Sequence, residues 1–122
     1  VYAAGDTAAG ALTTNANLHF VYSVGGTDFI TNLGIAVAAD TTYRLRIKID
    51  SDRKVAVFVN DVQYGLITSA SAGGATQSTA TQLSNALTDN EDFIPYIGIE
   101  AGAGEAQKLR VHYQKISRIL FE

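Results

Sequence analysis

Cysteine, methionine and tryptophan are absent from the 122-residue chain, and proline occurs once, at Pro95. Without cysteine there is no disulfide, no thiol nucleophile and no thiolate metal site. The compartment stays open, because a chain of this length buries a core large enough to fold without covalent staples. Charge is scarce too: 17% of the residues are Asp, Glu, Lys or Arg, and the net charge is -3. Electrostatic binding to nucleic acid needs a basic field, so a nucleic-acid partner is not expected. No apolar run reaches the roughly 18 residues of a membrane span, and no signal-peptide pattern opens the chain, so no membrane partner is expected either. The chain begins at Val1 rather than Met, which points to processing or to the ordered part of something longer.

What the chain does have is alternation. Tyr43, Leu45, Ile47 and Ile49 alternate with Arg44, Arg46, Lys48 and Asp50, the period-two pattern of a strand with one buried and one wet face. Ser51 to Lys54 offers turn chemistry. Lys54 to Asn60 returns with Val55, Val57 and Val59 on one face and Ala56 and Phe58 on the other, which predicts an inner strand covered on both sides. Asn60 and Asp61 tolerate left-handed backbone and suit a second turn before a strand over Val62 to Ile67.

Around this hairpin the rest falls into short pieces. Residues 1 to 16 form an Ala, Gly and Thr-rich arm, read either as a frayed terminus or as an arm reaching a neighbouring subunit with Tyr2 and Leu12 as anchors. Asn17 to Val24 predicts a strand, with Leu18, Phe20 and Tyr22 inward and His19 outward. Gly25 and Gly26 make a turn, Thr27 to Thr31 a short strand, and Asn32 to Gly34 a second turn. Residues 68 to 92 read as a long loop projecting from the body, a length that marks either a functional loop or one that conceals a short element such as a helical turn over Thr81 to Leu87. Phe93 to Ala101 and Gln107 to Glu122 read as the last strands, with a bulge near Gln114 and Lys115. A single β-sandwich domain over residues 17 to 122 is the expected organisation.

The candidates for chemistry are few. His19 and His112 fall on outward faces of separate strands with no third ligand at metal spacing. Asp89 to Asp92 supplies four adjacent oxygen-bearing side chains, but adjacent residues cannot all face one calcium ion, and a solvated turn is the simpler reading. No nucleophile elbow or phosphate-cradling glycine loop is present. Hydrolysis of sugars on a β-sheet needs acids alternating along one strand, whereas Asp50 and Asp52 sit across a turn and Glu100 and Glu105 are separated by a glycine-rich bend. No catalytic residue, cofactor or metal site is therefore expected. Arg44, Arg46 and Lys48 share one face, with Arg110 and His112 placed on a neighbouring strand. This basic set is either a solvated face that discourages wrong strand pairing or a contact patch for a partner.

The segment TTYRLRIKIDSDRKVAVFVNDVQYGLIT, followed after a loop by FIPYIGIEAGAGEAQKLRVHYQKISR, resembles the C-terminal half of concanavalin A-like lectin/glucanase domains, in the versions found in tailed-phage structural proteins. The likeness runs from Asn17 to Arg118. It implies an all-β, antiparallel jelly-roll sandwich, either abbreviated or the C-terminal part of a longer domain, because the family's early strands are not evident before Asn17. The family's "VxVFVNG"-like strand has its Asn at Asn60, while Asp61 stands where Gly is usual. The glucanase acids are missing, so the implied role is not enzymatic. The resemblance implies a virion component, such as a capsid decoration or fibre domain that binds capsid protein or its own copies. A carbohydrate-binding, lectin-like module for glycan recognition is the alternative.

Overall fold

The computed structural model describes residues 2–3, 16–89, 97 and 108–118. The chain divides into two compact units, Val1–Glu91 and Asp92–Glu122. The first unit contains seven described strands: β1 (Tyr2–Ala3), β2 (Asn17–Val24), β3 (Thr27–Ala36), β4 (Leu45–Ile49), β5 (Val55–Val59), β6 (Val62–Tyr64) and β7 (Ser71–Ala75). They form two sheets, in the orders β1-β2-β3-β7 and β4-β5-β6. All neighbours are antiparallel except β3 and β7, which run parallel. No helix occurs among the described residues.

The β2–β3 and β5–β6 hairpins close through two-residue turns with left-handed backbone, the geometry whose twist matches that of the flanking strands. Gly25 and Gly26 have φ of 58° and 77° between Val24 and Thr27, and Asn60 and Asp61 have φ of 49° and 68° between Val59 and Val62. Asn and Asp tolerate this region better than other side chains. Asn60 adds a tie, since its Oδ1 accepts the Arg44 amide at 2.9 Å. At the other end of the β4–β5 hairpin the turn hangs on Asp50, whose Oδ1 accepts the amides of Asp52 and Lys54 at 3.0 and 2.8 Å.

The core is one apolar cluster fed by both sheets. Leu18, Phe20 and Tyr22 of β2 and Phe29 and Leu33 of β3 join Val55, Val57 and Val59 of β5, with Leu66 and Ile67 beyond β6. Alternation accounts for it: every second residue of β2 and β5 turns inward. The Tyr22 and Phe29 rings stack with centroids 4.8 Å apart. The fold of this unit is an all-β, two-sheet arrangement of the sandwich type.

Several expectations are corrected. The turn proposed at Asn32 to Gly34 is instead a bulge inside the ten-residue β3. Between the pairs Asn17–Ala36 and His19–Asn32, one residue of β2, Leu18, opposes three of β3, Leu33 to Ile35, and Gly34 takes φ of 70° to absorb the extra length. Asn32 holds the bulge together, because its Oδ1 accepts from Gly34 N at 2.8 Å and from Asn17 Nδ2 at 3.0 Å. His19 is not outward but fully buried; a β-carbon at Gly74 would lie 2.8 Å from its Cδ2. The side chains of β5 are buried on the valine face, whereas Ala56 and Phe58 are half-buried. The third strand of the central stretch ends at Tyr64, although Leu66 and Ile67 go on into the core.

The segment expected to project lies along the body. After β7, residues 76–89 form a strap without a helical turn. Leu66 N donates to Gln82 O, Ser84 N to Val55 O and Leu87 N to Arg53 O. Ser84, itself buried, also accepts Val55 N on its hydroxyl at 2.8 Å. Backbone groups left over at the β5 side are thereby satisfied by a strap that has no strand ladder of its own.

In the second unit only Ile97 and residues 108–118 are described, and these have no regular secondary structure. The final strand and its bulge near Gln114 are therefore not found over 108–118. The expected strand Phe93–Ala101, apart from Ile97, lies outside the described residues, as do Leu12 and Asn90–Asp92.

Candidate functional site

Strand β4 lies at the edge of its sheet among the described residues. Its register sets Leu45, Ile47 and Ile49 directly across from Val59, Val57 and Val55. Residues directly opposite in an antiparallel pair share a face, so all six side chains belong to the core side of the sheet. The valines are 2%, 0% and 3% exposed; the β4 partners are 47%, 51% and 42% exposed. The row is half open, and among the described residues it is the last row of the sheet. Neither face of β4 is buried, contrary to the one-sided burial that its alternation predicts. Covering the exposed half of each side chain is worth roughly 1 kcal/mol, about half the value of burying it completely.

The opposite face carries the basic set. Arg44 makes an ion pair with Asp61 across the turn, with both side chains mostly exposed, which contributes about 0–1 kcal/mol. The Arg46 guanidinium sits 3.9 Å from the centroid of the Phe58 ring, directly across the ladder, a cation–π contact worth about 0.5–1 kcal/mol at an exposed site. Phe58 is half-buried, and the Arg46 guanidinium covers part of its ring. Lys48 lies opposite Ala56, and among the described residues neither Arg46 nor Lys48 has a carboxylate within ion-pair distance.

The edge also presents backbone. Asn60 N donates to Arg44 O at 2.8 Å and Asp50 N to Lys54 O at 3.0 Å, at the two ends of the hairpin. Hydrogen-bonded and non-hydrogen-bonded pairs alternate along an antiparallel ladder. The even-numbered residues of β4 therefore bond β5, and the amides and carbonyls of Leu45, Ile47 and Ile49 point away from it. A strand laid against that side would meet an apolar row, a basic row and a ladder that no described strand occupies.

The backbone of Tyr2 pairs with His19 in β1–β2. Arg110 and His112 are exposed residues of the second unit, outside any strand, so the neighbouring strand proposed for them is not found. Asp89 is exposed, and its carboxylate lies 3.7 Å from the Arg53 guanidinium. Among the described residues no group of three or more His, Asp or Glu side chains is arranged to hold a metal.

A second feature escaped the sequence reading. Beside β6 and the strap lies a cleft of about 280 Å³, lined by Asn32, Gln63, Tyr64 and Gln77 among others. Gln77 is fixed there by donating to Leu66 O at 3.3 Å and accepting from Thr79 N at 3.3 Å. These residues come from β3, β6 and the strap, and no sequence spacing relates them.

Compared with protein-family models, with curated proteins and with solved structures, the chain matches none.

Proposed function

We propose that the chain is a non-enzymatic structural module of a virus particle, a jelly roll of the concanavalin A-like type that attaches to capsid protein or to its own copies as a decoration or fibre domain. The observation that carries this reading is the half-open apolar row Leu45, Ile47 and Ile49 beside the basic face of Arg44, Arg46 and Lys48. Monomeric proteins usually blunt such edges, and charged side chains on one face do so only in part. The resemblance of Thr41–Thr68 and Phe93–Arg118 to tailed-phage structural domains supports the particle setting. On this reading the protein resides in the virion, needs no cofactor, and acts through protein contacts rather than through a reaction. Purified particles test it: the chain is expected in them at a stoichiometry matching a lattice or fibre position, with density of a partner against β4. Its absence from particles overturns the reading.

The cleft beside Tyr64 favours a second reading, a carbohydrate-binding module. Amide side chains and a tyrosine ring around a small concave site are the groups that fix a saccharide's hydroxyls and its apolar ring face. A glycan array separates the two, with saturable sugar binding lost in Tyr64→Ala on this reading and no binding on the first.

A further inference from the structure

We propose that the outer edge of β4 is a docking site for an extended segment of another protein, one that alternates apolar and acidic residues and adds to the sheet as a further strand. This deepens the assembly reading above by naming the chemistry of the partner. Three features of the edge converge on it. The outward amides and carbonyls of Leu45, Ile47 and Ile49 supply the ladder. Their side chains supply an exposed apolar row continuous with the buried valines of β5. Arg46 and Lys48, on the other face, lack a carboxylate partner among the described residues. Strand addition of this kind draws affinity from main-chain bonds and specificity from alternate side chains.

The charges decide which partner fits. A second copy of β4 fits poorly: the antiparallel register centred on Ile47, which overlaps the two strands over their whole length with the apolar rows on one face, sets basic residues of one strand against basic residues of the other. In that register Arg46 of each copy faces Lys48 of its mate. Like charges directly opposite destabilise a ladder, and opposite charges support it. Acidic residues at the alternate positions of the incoming strand therefore meet Arg46 and Lys48, while its apolar residues cover Leu45, Ile47 and Ile49.

Amide hydrogen exchange on the full chain tests this, with two probes: a short capped peptide alternating isoleucine with glutamate, and the same peptide with lysine for glutamate. At ten times its dissociation constant the glutamate peptide is expected to slow exchange at Leu45, Ile47 and Ile49 about tenfold, and the lysine peptide to leave it unchanged. Lys48→Glu, on an exposed face, is expected to shift the preference towards the lysine peptide. Slow exchange at the Arg46 and Lys48 positions in that variant shows that the hairpin is intact. The proposal is overturned if the glutamate peptide gives no slowing, if both peptides act alike, or if Lys48→Glu leaves the preference unchanged. It is also overturned if the three outward amides are already slow in the free chain, because the edge is then held by the chain's own residues. Failure here with the chain present on particles removes the edge and leaves the assembly reading. Absence from particles with a positive peptide result does the reverse.

Discussion

Tyr22 does more than fill space. Its hydroxyl donates to Ile67 O at 2.7 Å and accepts from Asn85 N at 3.1 Å, so one oxygen ties β2 to the segment after β6 and to the strap. Burial raises the phenol's pKa above its ordinary value, although the hydrogen bond from the Asn85 amide acts in the opposite direction. The sign follows from linkage. Above about pH 10 the unfolded chain releases this proton while the folded chain keeps it, so stability contributed by Tyr22 is present below that pH and is lost as pH rises towards the folded value. Tyr22→Phe is expected to cost about 1–3 kcal/mol at neutral pH, because it leaves Ile67 O and Asn85 N without this partner. It should also flatten the fall in urea midpoint between about pH 9 and 11 relative to the wild-type chain. Equal alkaline slopes in the two proteins would contradict this role. Tyr22 as an inward residue was legible from alternation; His19 as a buried one was not, because the cover over it includes Gly74, fifty-five residues away in sequence.

At the scale of elements, the strap shows what alternation cannot encode. Residues 76–89 have the Ser, Thr and Ala composition of a loop, and composition speaks to local flexibility rather than to backbone partners that lie far off in sequence. Its path depends on a close approach at Gly65, where a β-carbon would fall 1.9 Å from Thr79 O and 2.7 Å from the Gln77 side chain. Gly65→Ala must push the strap away or shift the end of β6, at a cost of about 1–3 kcal/mol or more. The measurable consequence is faster amide exchange at Leu66 and Gln82, whose amides donate to Gln82 O and Thr79 O of the strap, with β2 and β3 little affected. The β2 strand and the β4–β5 hairpin, by contrast, were legible almost to the residue, since their turns and alternation are written locally. The bulge in β3 looked like a turn because Asn and Gly serve both. What separates them is the partner strand, which continues past the irregularity.

At the scale of the molecule, two sheets closing on one core could be read from the alternating strands, yet the order of those strands could not. The parallel pairing of β7 with β3 returns the chain to the first sheet after the whole second sheet has been built, and nothing local announces such a return. The candidate site was half legible. The basic set Arg44, Arg46 and Lys48 stood out in the sequence, whereas the apolar row opposite it was taken for core. Edge position, a property of the whole sheet, makes the difference. The account rests on that edge being open. Residue-resolved amide exchange of the free chain tests it most directly: slow exchange at the Arg46 and Lys48 positions, which bond β5, alternating with fast exchange at Leu45, Ile47 and Ile49, is the predicted result. Uniformly slow exchange across residues 45–49 would contradict it.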